Sequence, residues 1–200
     1  PNHWTIEDAK KTYRVNRWGN GYFDIGDSGD LNVIPRYDQP NLKINMREII
    51  EEMQNTGIQF PAVIRFHDIL RSQVEVLNKT FRNTIEEAQY EGQYFGVFPV
   101  KVNQMREVIE EIVDAGSRFS YGLEAGSKPE LIAALAYNTN KNSLTILNGY
   151  KDEEYLHLAL LGLKIDRKII IVIEKFSELT KLIKLSQELN VKPIIGLRVK

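Results

Sequence analysis

The sequence predicts an α/β protein built on a parallel sheet, and three observations carry that prediction. Apolar, β-branched segments recur about every 25 residues, beginning near Phe95, Phe119, Leu144, Ile169 and Ile194. Helical patterns with recognisable start and stop residues fill the intervals. Segments such as KIIIVIE, Lys168 to Glu174, are apolar on both faces, as strands of a helix-covered parallel sheet must be.

The elements follow in order. RWGNGYFDIGDSGDLNVIP, from Arg17, alternates apolar residues with Gly and Asp clusters, the pattern of short strands joined by tight turns. Its DIGDSGD portion lacks the alternate-position ligands of a calcium loop, so a β-turn is expected there. Met46 to Gly57 reads as an amphipathic helix closed by Gly57. A longer helix is expected from Asp68 to about Tyr90, with Leu70, Val74, Leu77, Phe81, Ile85 and Ala88 as its apolar stripe. Within the repeating part, Met105, Val108, Ile109, Ile112 and Val113 share one face of a helix ending at Gly116. Ser127 and Glu130 form a predicted capping box, with Pro129 tolerated in the first turn. Asp152 and Ser177 are the predicted N-caps of the next two helices. These features divide the chain into a β-rich leader with a helix, residues 1–60, and a β/α-repeat domain, residues 61–200.

Repetition alone does not separate a closed barrel from an open doubly wound sheet, because both use right-handed β/α crossovers. The turn after the first strand, KVNQMRE, contains no glycine, which disfavours the dinucleotide-binding open sheet and favours the barrel. Five units are fewer than the eight of a barrel, so the domain is expected to continue beyond residue 200.

Composition narrows the function. The 200 residues carry 26 basic and 27 acidic side chains for a net charge of -1, which gives no electrostatic footprint for nucleic acid or an anionic membrane. No cysteine is present, so disulfides and thiolate metal sites are excluded within the chain. The longest strongly apolar run, Ile169 to Ile173, is far short of the roughly 20 residues a bilayer demands, and PNHWTIEDAKK has no apolar signal core. A cytoplasmic enzyme is expected. His3, His67 and His157 lack companions at metal-ligand spacing, and no GxxxxGK[ST] or GxSxG motif occurs.

In either architecture, function collects at the carboxyl ends of the strands. Those ends read Lys101, Glu124, Asn148, Glu174 and Arg198. Each has an ordinary explanation: Lys101 as a snorkelling lysine, Glu124 as a helix-entry carboxylate, Asn148 as a turn residue beside Gly149, and Arg198 as an ion-pair partner of Glu174. Their convergence on one mouth favours chemistry. A lysine desolvated there beside a cation is suited to form a Schiff base with a carbonyl compound.

FPVKVNQ, YGLEAGSKPEL, LNGYKDEEY and VIEKFSEL, in that order and spacing, resemble the biosynthetic arginine decarboxylases, as does RWGNGYFDIGDSGDLNV in the leader. The resemblance covers nearly the whole chain from Tyr13. It implies the alanine-racemase-like (β/α)8 barrel that binds pyridoxal 5'-phosphate, with the leader belonging to a separate β-domain. It further implies that Lys101 holds the cofactor as a Schiff base, that Glu124 lies close to the cofactor, and that Arg198 stands near its phenolic oxygen. The implied reaction converts L-arginine to agmatine and carbon dioxide, the first step of polyamine synthesis. Magnesium dependence and a homo-oligomer, dimer or tetramer, come with the resemblance. The phosphate-binding loops and the groups that hold the arginine side chain are expected beyond Lys200, so this piece alone is expected to be inactive. The alternatives are a related barrel decarboxylase acting on ornithine, lysine or diaminopimelate, and a non-enzymatic pyridoxal phosphate carrier.

Overall fold

The computed structural model describes residues 3–199. The chain divides into two compact units, Pro1–Ser72 and Gln73–Lys200; Pro1, Asn2 and Lys200, the outermost residues of the two expected domains, lie outside the described residues. The expected boundary stood at residues 60 and 61, whereas the division falls inside a helix. That helix's first turns pack with the leader, through a 2.6 Å hydrogen bond between the Tyr22 and Ser72 hydroxyls.

In the first unit, helices α1 (Ile6–Tyr13) and α2 (Val15–Trp18) precede three short antiparallel strands, β1 (Phe23–Ile25), β2 (Leu31–Val33) and β3 (Ile44–Asn45), in the order β1-β2-β3. The first two helices were not anticipated. Thr5 and Asp8 cap α1 reciprocally, a signal present in the sequence as Thr-x-x-Asp. The DIGDSGD segment is the β1–β2 hairpin turn, with Gly29 at φ +84°. Asp30 receives hydrogen bonds from Ser28, Asn45 and Arg47, which accounts for its acidic side chain without a cation. Helix α3 (Met46–Asn55) ends as expected, Gly57 taking φ +81° just beyond the C-cap.

Helix α4 (His67–Glu87) opens the repeating part. Of its predicted stripe Val74 is buried, whereas Leu77 and Phe81 are exposed and Asn78 is buried in their place. In the second unit, strands β4 (Val97–Pro99), β5 (Gly122–Ala125), β6 (Leu144–Leu147), β7 (Lys168–Ile173) and β8 (Ile194–Leu197) alternate with helices α5 (Arg106–Gly116), α6 (Lys128–Tyr137), α7 (Glu153–Lys164) and α8 (Phe176–Leu189). All four strand pairs are parallel, and the spatial order is β4-β5-β6-β7-β8. A doubly wound sheet reverses its order at a switch point. This one runs monotonically, as the first five units of a barrel do.

On β7, Ile169, Ile171 and Ile173 are buried against the helices with Leu156, Leu160 and Leu182, while Ile170 and Val172 on the opposite face are half-buried. Two predicted caps change. Ser127 caps α6 at 3.5 Å from the Glu130 amide, but the Glu130 carboxylate turns to the Gly126 amide instead, so the box is not reciprocal. Asp152 caps α7 as predicted, accepting from the Tyr155 amide at 2.8 Å. Ser177 does not cap α8: the helix begins at Phe176, and Glu178 satisfies the local donors. Among the described residues no helix is long and apolar enough to cross a membrane.

Candidate functional site

The parallel register, which pairs Pro99 with Glu124 and Glu124 with Ile146, brings successive strand ends to one level. There a cavity of about 600 Å³ is lined by Val97, Pro99, Lys101, Glu124, Gly126, Glu130, Asn148, Gly149, Tyr150, Glu174 and Arg198. All five strand-end residues singled out from the sequence line it. The volume lies in the range of small-molecule sites.

Each is held differently. Lys101 stands two residues past β4, in a 3-10 turn from Val100 to Val102 that aims a polar side chain away from the buried Val100. It is exposed, so the desolvation expected of it is not met. Glu124 is on β5 itself and only 6% exposed; its Oε1 accepts from the Asn148 amide at 3.0 Å, while its Oε2 is buried without a hydrogen-bond partner. A buried carboxyl oxygen is costly to leave without a partner, which marks Oε2 as a position for a ligand's donor. Arg198 pairs with Glu174 at 3.3 Å, and Glu174 also accepts from the Gly149 amide at 2.6 Å. The ordinary ion-pair explanation of Arg198 therefore holds, at the edge of the cavity.

The loop between β6 and α7 organises this end of the sheet. The Asn148 backbone continues the parallel pairing onto Ala125, and Gly149 adopts φ +74°. A Cβ at 149 would lie 2.2 Å from the Gly126 carbonyl oxygen, so glycine is required on both counts. Lys151, unremarked in the sequence, is the desolvated lysine of this region: its side chain is 0% exposed, donating to the Gly149 carbonyl at 2.5 Å and pairing with Glu178 at 3.4 Å. Burial pulls its ammonium below the usual lysine range, against the opposing pull of Glu178 and Glu174. Burial alone would raise the Glu178 carboxyl, but the amides of Glu174 and Lys151 and the Lys151 ammonium together hold it below the usual range. No local pattern announces this pair, because the two residues meet only through the register of β6 and β7. Among the described residues no group of three or more His, Asp or Glu side chains is arranged to hold a metal ion.

Residues 73–200 match the pyridoxal-dependent decarboxylase, pyridoxal binding domain family. The chain is similar to the biosynthetic arginine decarboxylase of Bacteroides thetaiotaomicron, 44% identical over 197 residues that make up 98% of this chain and 31% of that protein. It is 47% identical over 197 residues to the biosynthetic arginine decarboxylase of Gloeobacter violaceus, covering 98% of this chain and 30% of that one. The crystal structure of the biosynthetic arginine decarboxylase SpeA from Campylobacter jejuni shares its fold with a TM-score of 0.83 at 31% identity, over 92% of this chain and 30% of that chain. The chain thus spans about a third of the length of the relatives it matches.

Proposed function

This chain belongs to the pyridoxal-dependent decarboxylases, its residues 73–200 forming the pyridoxal-binding domain, and on that premise we propose that the whole protein decarboxylates L-arginine to agmatine. The single observation that carries the reading is the convergence of an accessible lysine, a buried half-satisfied carboxylate and an arginine on one cavity of about 600 Å³ in a chain so similar to arginine decarboxylases.

The residues fit pyridoxal phosphate. Lys101, two residues past β4, offers a reachable amine to hold the aldehyde covalently. Glu124 presents an unpaired buried oxygen to a proton-bearing atom of the bound group. Arg198, tethered by Glu174, stands ready to face a phenolic oxygen. When bound, the cofactor supplies an electron sink for the pair left behind as a carbon–carboxylate bond breaks. The chain's own part is to orient and to tune. Lys101 anchors and releases. Glu124 would offer its free oxygen to a donor of the bound group, and the Glu174–Arg198 pair would present a positive group to it from the edge of the cavity.

We further assign the leader to a separate β-domain, and the full-length protein to a cytoplasmic homo-oligomer, dimer or tetramer, acting on a small molecule without nucleic acid or membrane partners. The balanced charge supports the absence of nucleic acid and membrane partners and the lack of cysteine within these residues supports the compartment, while the β-domain and the oligomer rest on the resemblance. A magnesium requirement, which the resemblance carries, finds no group of three or more ligating side chains among the described residues.

The test is borohydride reduction of the full-length protein loaded with pyridoxal phosphate, followed by peptide mapping and assay of agmatine. A pyridoxyl group on Lys101, lost in Lys101→Ala together with agmatine production, is the expected result. A label on another lysine, or full activity in Lys101→Ala, overturns the proposal.

A further inference from the structure

Glu124 lines the cavity with a buried carboxyl group, and the question is what decides which of its oxygens is held and which is left without a partner. The polar contact of its side chain is the amide of Asn148, whose Nδ2 donates to Oε1 at 3.0 Å while Oε2 stays unpartnered. That amide is itself rigidly presented. The Asn148 N–H bonds the Ala125 carbonyl at 2.9 Å, and the Tyr155 hydroxyl spans the Ala125 and Asn148 carbonyls at 3.0 and 3.5 Å. Gly149 follows in a conformation that places the loop against Gly126. Beyond this loop, the Lys151–Glu178 pair fastens the same segment to the first turn of α8.

The geometry points to Asn148 as a positioning residue: by holding Oε1 of Glu124 it leaves Oε2 for the proton-bearing atom of the group that would be bound at Lys101. The inference rests on the proposed pyridoxal phosphate site and adds to it the residue that orients its carboxylate. A mere turn residue beside Gly149 would need only its backbone. A donor aimed at a buried carboxylate does more, because a hydrogen bond to the charged form favours that form. The other charged or titratable groups lining the cavity or packed beside Glu124 are Lys101 beyond β4, Glu130 on α6, Tyr150 and Tyr155 around the start of α7, and Glu174 and Arg198 at the ends of β7 and β8. Among the described residues none of these groups hydrogen-bonds the Glu124 side chain.

The experiment uses the full-length protein stripped of cofactor and titrated with pyridoxal phosphate, followed by its visible absorbance, with the melting temperature of each cofactor-free variant as the control for folding. Asn148→Leu keeps the branching of the side chain and removes the donor, though it is bulkier; Asn148→Asp keeps the shape and sets a second carboxylate against the first. Each is expected to weaken cofactor binding about tenfold, the worth of a hydrogen bond to a charged group. Asn148→Asp is also expected to move the pH midpoint of the bound absorbance upward, as paired carboxylates hold a proton longer. In a Glu124→Gln background, adding Asn148→Leu is expected to weaken binding no further. Equal weakening in both backgrounds, or wild-type binding and pH midpoint in both Asn148 variants, overturns the inference. Should Asn148→Leu not fold, the Asn148→Asp midpoint decides alone. A wild-type protein whose absorbance borohydride does not fix to Lys101 removes the proposed function, and this inference with it. A wild type that is labelled there, with additive variants, removes this inference only.

Discussion

Breaking the buried Lys151–Glu178 pair from its two sides should have unequal consequences, because the partners are not equally supported. Lys151→Met keeps the length of the side chain and removes the ammonium 3.4 Å from Glu178. The carboxylate left behind retains the Lys151 amide at 2.9 Å and the Glu174 amide at 3.0 Å. Loss of one partner from a buried pair costs about 3 kcal/mol, the low end of the usual range, since these donors remain. Glu178→Met removes the pair and also orphans both amides, at about 1 kcal/mol or more each, so it should cost about 2 kcal/mol more. The pH dependence has a definite sign. Glu178 is held below the usual carboxylate range in the folded state, so its contribution is present at neutral pH and is lost as pH falls through the folded value. Removing the Lys151 ammonium relaxes that depression, so the wild type has more to lose in acid, and the gap to Lys151→Met should narrow as pH falls below the usual carboxylate range. Native-state hydrogen exchange of amides in the second unit of the full-length protein measures the difference locally, where a single melt of a large protein would not. Equal losses from the two substitutions, or a loss below about 0.5 kcal/mol from Lys151→Met, would refute the assignment of the pair as the loop's anchor.

Two further outcomes follow from the same loop. Gly149→Ala places a Cβ 2.2 Å from the Gly126 carbonyl at φ +74°, and should lower stability by at least about 2 kcal/mol while displacing the Asn148 amide, measured as a fall in melting temperature together with weaker pyridoxal phosphate binding. Tyr155→Phe removes a donor from the Ala125 carbonyl, which keeps the Asn148 N–H, so the loss should stay near about 1 kcal/mol in chemical denaturation, with the pyridoxyl label on Lys101 unchanged.

What could be read from the residues alone was set by the range of the signal. The five strands declared themselves because each is an apolar run at constant spacing, a pattern that depends only on neighbours in sequence. Two of them begin two or three residues later than read, at Val97 and Gly122, because the aromatic residues ahead of each run precede the paired segment. Lys101, Glu124 and Arg198 were legible as strand-end polar residues, and they line one cavity. Helix α1 was legible in principle from Thr5 and Asp8 but lies in a stretch with little apolar periodicity. Ser177 looked like a cap because its residue type is right; the acceptor actually used is Glu178, one residue on, whose carboxylate serves two amides from different elements. Asn148 was legible as a strand-end residue but its bond to Glu124 was not, and Lys151 could not be read at all, since a loop sequence such as NGYKDEE looks solvated until the register shows what lies beneath it.

The same contrast explains why two lysines at this end of the sheet have opposite character. Sequence reasoning asked one residue to be both desolvated and reactive, and the structure separates the properties. Lys151 is desolvated, yet its amine is spent on the Gly149 carbonyl and Glu178, and the residue does not line the cavity. An ammonium with no exposed surface can order a loop but cannot be reached by an aldehyde or exchanged for a substrate amine. Lys101 is exposed and lines the cavity, the one lysine among the described residues that does. Neither lysine should therefore stand in for the other: in Lys101→Ala the buried Lys151 cannot take up the aldehyde, and in Lys151→Met the cavity-lining Lys101 cannot restore the loop's anchor to Glu178.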